Sequence, residues 1–441
     1  MQLNELKQVV AAAGVVGAGG AGFPTAVKIA AGADTLVINA AECEPLLHTD
    51  YAIMKTQLAT MLAGAEAVIE AAGMQRGVLG IKKHNLPRLG LSDGQQVSAH
   101  VRVHALPDVY PMGDEIILVY ETLGRVIAPG ALPLTVGAIV SNAETLYNVA
   151  RAMEGTPVYE KWVTIGGKVP QTMVVKVPVG MRVSELLKKC GVDVPMDCVV
   201  VDGGPAMGPV IDPNTSFVKK TTKGITIYPR DIPAITGKLA QTRVINIHAL
   251  SNCCQCTRCT DLCPRGLIGY PLQPHKVVRA SMDMVEEMPQ IFTGATSCSG
   301  CGVCELVACC QEISPRRVYA QVKGILAKNK LRYSGGAAPV DPDRDYRMVP
   351  SDRFARMIGV EQFESEPVLR LDTMMKASEI TLLTRQHVGA PAVPCVQVGD
   401  IVEPGMVVAQ ANGMISANIH ASVHGRVTAV SDSAVVIAPQ N

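Results

Sequence analysis

Aromatic side chains are scarce in this chain, with one tryptophan and five phenylalanines among 441 residues. Since 48% of residues are still hydrophobic, the cores must be packed from small aliphatic side chains. An excess of either charge is lacking too. Forty Lys and Arg stand against 39 Asp and Glu, a formal net charge of +1, and no segment interleaves basic with aromatic residues. That excludes the electrostatic footprint of a nucleic-acid binder. No uninterrupted apolar run reaches the roughly 18 residues of a membrane span. The opening MQLNELKQVV has no basic segment leading into an apolar core, as a secretory signal would. The expectation is a cytoplasmic chain without a membrane span. Its length suits about three or four domains of roughly 100–150 residues, and 40 glycines and 29 prolines imply many turns.

Cysteine is what the chain does have. Ten of its 14 cysteines fall between Cys253 and Cys263 or between Cys298 and Cys310. Cys253, Cys256, Cys259 and Cys263, followed by Pro264, form the C-x2-C-x2-C-x3-C-P run of two-cluster ferredoxins. In the second block Cys298, Cys301 and Cys304 repeat the triplet, and the fourth cysteine comes one residue late, as Cys309, with Cys310 in place of proline. Three thiolates at intervals of three wrap one face of a cubane, and a remote thiolate closes it. Cross-ligation of the two-cluster type assigns Cys253, Cys256, Cys259 and Cys309 to one [4Fe-4S] cluster and Cys298, Cys301, Cys304 and Cys263 to the other. Cys254 and Cys310 are then spare. Zinc prefers paired knuckles to triplets, and disulfides need an oxidising compartment that nothing else here supports. The scattered Cys43, Cys190, Cys198 and Cys395 read as buried thiols.

Leu3, Leu6, Val9, Val10 and Ala13 recur at helical spacing, so the first segment reads as an amphipathic helix ending at Gly14, either docked on a core or serving as a short targeting helix. The loop from Gly17 to Thr25 follows and runs into a helix near Pro24; its amides can surround a phosphate. Gly17, Gly19 and Gly22 formally satisfy G-x-G-x-x-G, but here the loop follows a helix and the strand Leu36-Val37-Ile38 comes afterwards, which is not the dinucleotide-binding context. Asn39, Glu42 and Glu44 leave the end of that strand, where α/β sheets place ligand contacts. A helix through Leu58, Met61, Leu62, Ala65 and Ile69 and strands at Val78–Ile81 and Val97–Val103 complete an α/β domain over residues 1–155.

From Trp162 the texture changes to short β runs and a small helix capped by Ser184 and closed by Gly191. The segment Val201–Gly208 reads as a tight turn with at most a backbone contact surface. Arg332–Glu366, rich in charge and proline, reads as an extended connector. Between Val388 and Ile437 short Val/Ile runs alternate with turns, suggesting a small β barrel or sandwich; it contains no lysine and so cannot be a biotin or lipoyl carrier. His420 and His424 read as surface histidines flanking turns.

The stretch GAGGAGFPTAVK followed by INAAECEP, then Tyr110–Glu115 and Ser141–Thr145, resembles the flavin-bearing subunit of respiratory complex I and the RnfC component of the Rnf electron-transport complex. The resemblance implies a Rossmann-like domain binding FMN and taking hydride from NADH. Gly17, Gly19, Gly20 and Lys28 would hold the FMN phosphate side, Asn39, Glu42, Tyr110, Glu115, Asn142 and Thr145 would border the flavin, and Phe23 and Glu44 would meet NADH. Ala41 replaces an aspartate of the complex I proteins, and Ala18 an arginine. Residues 162–235 resemble the β-grasp soluble-ligand-binding module (SLBB), and the tail resembles the barrel-sandwich domain found at the amino end of RnfC. With that domain at the carboxyl end, the order resembles the cobalamin reductases of propanediol-utilisation microcompartments across nearly the whole chain.

The implied fold class is α/β multidomain. It comprises an FMN/NADH domain (1–155), a β-grasp module (156–240), a two-cluster ferredoxin-like α-helical domain (241–335), a connector (336–380) and a barrel-sandwich domain (381–441). The implied activity is NADH-dependent reduction of cob(III)alamin to cob(II)alamin and cob(I)alamin through FMN and two [4Fe-4S] clusters, reactivating B12 in a diol-utilising microcompartment. An adenosyltransferase and microcompartment shell proteins are the implied partners, and a microcompartment interior the implied location. No Asp-x-His-x-x-Gly corrinoid motif occurs, so cobalamin is expected as substrate, not resident cofactor. Two rival readings are an Rnf-like module passing electrons to a ferredoxin or flavodoxin, and a non-catalytic conducting scaffold.

Overall fold

A computed structural model describes residues 1–280 and 282–440. The amino-terminal unit is built on a parallel sheet. Its strands are β1 (Thr35–Ala40), β2 (Arg76–Lys82), β3 (Val101–Leu106) and, beyond the short β4 (Val109–Tyr110), β5 (Ala138–Asn142); the order is β3-β2-β1-β5. Leu36, Val37 and Ile38 are fully buried, as expected of a central parallel strand covered on both faces. The chain reverses direction across the sheet between β1 and β5, where Asn39 lies in register with Asn142. That is the topological switch point at which open α/β sheets bind ligands. The helices Thr49–Ala72 and Ala143–Met153 cover one face, and Gly64 lets them cross so closely that a Cβ there would overlap the Leu146 carbonyl. The first helix, Leu3–Ala12, docks on the same core through Leu6 and Val10. The other face shares its core with the cysteine-bearing segment, Val37, Ile117 and Val140 packing in one cluster with Ile268, Phe292 and Val318.

The second sheet has the order β12-β7-β6-β10-β8-β9, with β6 (Glu160–Gly167), β7 (Met173–Pro178), β8 (Cys198–Asp202), β9 (Val210–Ile211), β10 (Gly224–Pro229) and, after β11 (Val349–Pro350), β12 (Val368–Arg370). The tail folds into two small antiparallel sheets between Ile380 and Pro439. Their inner residues, among them Ile380, Val427 and Ile437, form one core with Val163, Val175 and Ile225 of the second sheet.

Several local expectations change. Val97–His100 is not strand, and β3 begins at Val101. The small helix is Val183–Lys189, its N-cap is Arg182, and Ser184 sits inside the first turn. The segment Arg332–Glu366 is no plain extended connector: β11 pairs with β4, and the helix Ser351–Met357 buries Phe354. His420 is buried, held by the Ala12 carbonyl through Nε2 at 2.9 Å. Cys395 is exposed and Cys43 half-buried, so only Cys190 and Cys198 of the four scattered cysteines are fully buried thiols.

Candidate redox centre

The two cysteine blocks fold around two separate cavities. One is lined by Cys253, Cys256, Cys259 and Cys309 together with Cys254 and Cys310. The other is lined by Cys263, Cys298, Cys301 and Cys304. Each block thus sends its fourth cysteine to the other's cavity. Electrostatics divide the thiols in the same way. Burial first, then Cys309, Cys253 and Cys256, push the Cys259 thiol up to about 12. Burial and then Cys298, Cys301 and Cys263 push Cys304 up, and burial with Cys301 and Cys298 pushes Cys263 up. Four thiols so placed repel one another as thiolates, and an iron–sulfur cluster relieves that cost while using all four. The donor sets fit such clusters. Cys254, Cys256 and Cys310 are exposed at the mouth of the first cavity, with Cys254 Sγ and Cys310 Sγ 4.0 Å apart.

At the switch point the glycine loop closes over β5. A Cβ on Gly19 would stand 3.1 Å from the Asn142 side chain, whereas at Gly20 it would meet nothing within 4 Å. The Gly17 amide donates to the Phe23 carbonyl, closing the loop's base, and the Ala18 amide donates to Thr145 Oγ1. The amides of Gly19, Gly20 and Ala21 donate to no group among the described residues. Lys28 stands beside the loop, paired with Glu115 at 2.6 Å. Free amides on such a loop can meet a phosphate, while the Lys28 ammonium is engaged by Glu115. Asn39 donates to the Gly113 carbonyl, and Asn142 caps its helix by accepting from the Glu144 amide. Ala18 and Ala41 are both buried.

Glu42 and Glu44 have different surroundings. The Glu42 carboxylate accepts from the amides of Asp50 and Tyr51 at 2.7 and 2.9 Å, the first turn of the helix Thr49–Ala72. Burial and then the Asp50 carboxylate push it up to about 7, against the pull of Lys223. Asp50 in turn pairs with Lys223 and accepts from Asn142. Lys161 and Glu144 form a fully buried pair next to them. Glu44 is drawn towards the second sheet, where the amides of Ala206 and Met207 each donate to it at 3.0 Å. Gly204 is required there, since a Cβ would overlap the Glu44 carboxylate. The turn Val201–Gly208 is therefore an anion clamp on Glu44, more than a structural turn.

Glu42, Glu44 and Tyr110 line a cavity of about 450 Å³ together with Lys82, Arg88 and Phe354. Tyr110 stacks on Phe354 with ring centroids 3.8 Å apart, and its hydroxyl donates to the Cys301 carbonyl at 2.7 Å. One tyrosine thus touches both this cavity and the second sulfur nest. Arg265, next to Cys263 and Pro264, donates to Asp114 at 2.9–3.2 Å and to the Ser297 carbonyl. The structure gathers the glycine loop, Asn39, Asn142 and Thr145 at the switch point and Glu44 and Tyr110 at the cavity, with Glu42 reaching both. Sequence reasoning missed Asp50, Lys223, Phe354, Asp114 and Arg265. Asp114 and Arg265 lie within or beside recognisable motifs, whereas Lys223 and Phe354 are distant in sequence and left no local signal.

Three family models match this arrangement: the Nuo51 FMN-binding domain over residues 10–151, a 4Fe-4S dicluster domain over 252–314 and the RnfC barrel sandwich hybrid domain over 363–440. Along its length the chain is 39% identical to the cobalamin reductase PduS of Salmonella typhimurium, covering 99% of this chain and 97% of that one. The chain belongs to the PduS family. The PduS of Citrobacter freundii is 38% identical over 98% of this chain and 96% of its own. The RnfC-type component of the Na(+)-translocating ferredoxin:NAD(+) oxidoreductase complex of Acetobacterium woodii is 31% identical, over 60% of this chain and 58% of its own length. The family is thus a mixed α/β multidomain one with FMN-binding, iron–sulfur and barrel-sandwich parts. No helix among the described residues is long and apolar enough to cross a membrane.

Proposed function

We propose that this chain is an NADH-dependent reductase of cob(III)alamin that carries FMN and two [4Fe-4S] clusters. The observation that carries the reading is the pair of four-cysteine cavities, one of them bonded through Tyr110 to the cavity lined by Glu42 and Glu44. When bound, FMN accepts hydride as an electron pair and releases it singly to acceptors that take one electron at a time. For each NADH oxidised, two cob(III)alamins become cob(II)alamin and one proton is released.

The chain's own residues bind and orient. The Gly19–Ala21 amides and Lys28 hold the phosphate, and Asn39, Asn142 and Thr145 fix the loop against the strand ends. The Glu42–Asp50–Lys223 network would set the charge around a bound flavin. Glu44, fixed by the Ala206 and Met207 amides, and Phe23 border the nicotinamide nucleotide. Cys253, Cys256, Cys259 and Cys309 hold one cluster, and Cys263, Cys298, Cys301 and Cys304 the other. No side chain acts as nucleophile or general base. The parts correspond to a Rossmann-like unit (1–155), a β-grasp module (156–240), a ferredoxin-like unit (241–335), a linking segment (336–380) and the barrel (381–441). Residence in a microcompartment, beside shell proteins and an adenosyltransferase, belongs to the same proposal and rests on the resemblance in sequence and domain order.

The test is oxygen-free purification with flavin and iron quantified, followed by NADH-driven reduction of hydroxocobalamin watched through its absorbance. Cob(II)alamin formation is expected. Turnover of a ferredoxin with none of cobalamin would replace this reading by an Rnf-like one.

A further inference from the structure

A second cavity of about 460 Å³ lies on the far side of Cys309, between the segment Asp231–His248 and the segment Glu305–Ser314. Cys309 and Ile313 line both this cavity and the first sulfur nest, so a solvent-facing groove and a proposed cluster share a wall. The groove mixes two chemistries. Val244, Ile245, Leu306 and Ile313 supply apolar wall. Glu305 and Glu312 supply acceptors: the Glu305 side chain is only 6% exposed, Oε1 accepts from Arg316 at 3.1 Å, and Oε2 has no partner among the described residues. A buried carboxylate oxygen left unpaired is costly, and a donor brought in by a ligand would relieve it. Beside the groove, the helix Thr242–Ser251 continues the apolar wall outward, with Val244, Ile247 and Leu250 exposed by 41%, 52% and 54%.

We propose that this groove is the docking site of the corrinoid. The proposal rests on the reductase reading above and names where its acceptor binds. A corrin presents a broad apolar ring rimmed by primary carboxamides, whose N–H groups are donors. The ring edge packs on Val244 and Leu306, and the carboxamides donate to Glu305 and Glu312. The reaction there is one-electron: Co(III) gains one electron and its axial water leaves as Co(II) forms, with NADH as the ultimate reductant. The other large cavity, lined by Glu42, Glu44 and Tyr110, is left to the nicotinamide nucleotide and flavin, so donor and acceptor enter by separate doors.

The experiment is an equilibrium titration of the flavin- and iron-loaded protein with hydroxocobalamin, read by difference absorbance in the absence of NADH. Val244→Glu puts a charge on the apolar wall at an exposed position that the fold tolerates, and Glu312→Lys replaces an acceptor by a donor. Each is expected to raise the dissociation constant about tenfold with flavin and iron contents unchanged. Met196→Glu, at a residue 99% exposed on the second module, is expected to leave affinity unaltered. If wild-type protein binds hydroxocobalamin and both groove variants bind it equally well, the site is wrong and the reductase reading stands. If the variants instead lose only the reduction of a ferredoxin, the groove is a protein-docking surface and the proposal falls. Wild-type protein that neither binds nor reduces the corrinoid overturns the reductase reading, and the docking site with it.

Discussion

At the scale of single residues, the spare cysteines separate spacing from geometry. Cys254 and Cys310 share the mouth of the first cavity with Cys256, yet the triplet rhythm runs through Cys256. Cys256→Ser is expected to lose roughly half the iron of anaerobic protein, one cubane of two, whereas Cys254→Ser and Cys310→Ser keep it all; iron and sulfide analysis decides. His420 offers a pH test. Burial first, then the Lys220 ammonium, push it down to about 3, so it stays neutral in the folded chain. The unfolded chain takes up that proton near pH 6.5 and the folded one does not. The contribution of His420 to stability therefore falls as pH drops below about 6.5, by about 1 kcal/mol per pH unit, until the folded value is reached, whereas Glu42, raised to about 7, contributes with the opposite slope. His420→Gln should flatten this part of the profile, measured by denaturant unfolding followed through Trp162, the chain's one tryptophan.

Elements show how far a local reading carries. The buried run Leu36–Ile38 announces a central strand, and the triplet of cysteines announces a loop, because both are set by neighbours in sequence. The segment after Arg332 offers no such period: its proline and charge describe a chain running over a surface, whereas β11 finds β4, Phe354 finds Tyr110, and Arg344, Ile358 and Val360 are buried. That stack fixes the ring whose hydroxyl reaches the Cys301 carbonyl. Phe354→Ala should cost about 3 kcal/mol in unfolding free energy, and Phe354→Leu less, since it leaves a smaller void. The turn Val201–Gly208 was legible as a turn from its glycines. That its amides face Glu44 was not, because 162 residues separate Glu44 from Ala206.

Over the whole molecule, two joints matter. Arg265 and Asp114 form a largely buried pair between the cysteine segment and the flavin-type unit, side chains 19% and 5% exposed. Arg265→Ala leaves Asp114 buried without its partner and should cost about 3–5 kcal/mol. In oxygen-free protein it should slow NADH-driven bleaching of the iron–sulfur absorbance more than it lowers iron content; equal losses of both would point to simple unfolding. The second joint is the core shared by the tail and the second sheet. Removing residues 381–441 uncovers Val163, Val175 and Ile225, so the shortened chain is expected to aggregate on expression, as soluble yield would show.

Sequence by itself showed which groups are available for chemistry: two blocks of thiols at cubane-type spacing, a glycine loop whose amides can meet an anion, and an amide and two carboxylates at a strand end where ligand contacts are made. Those properties live in residue type and short spacing, where backbone geometry alone dictates what side chains can reach. Only the tertiary structure decided that Tyr110 touches one sulfur nest, that the amides after Gly204 clamp Glu44, and that a groove opens behind Cys309. Contacts between residues far apart in the chain are chosen by how whole surfaces bury each other, and no short stretch of sequence carries that choice.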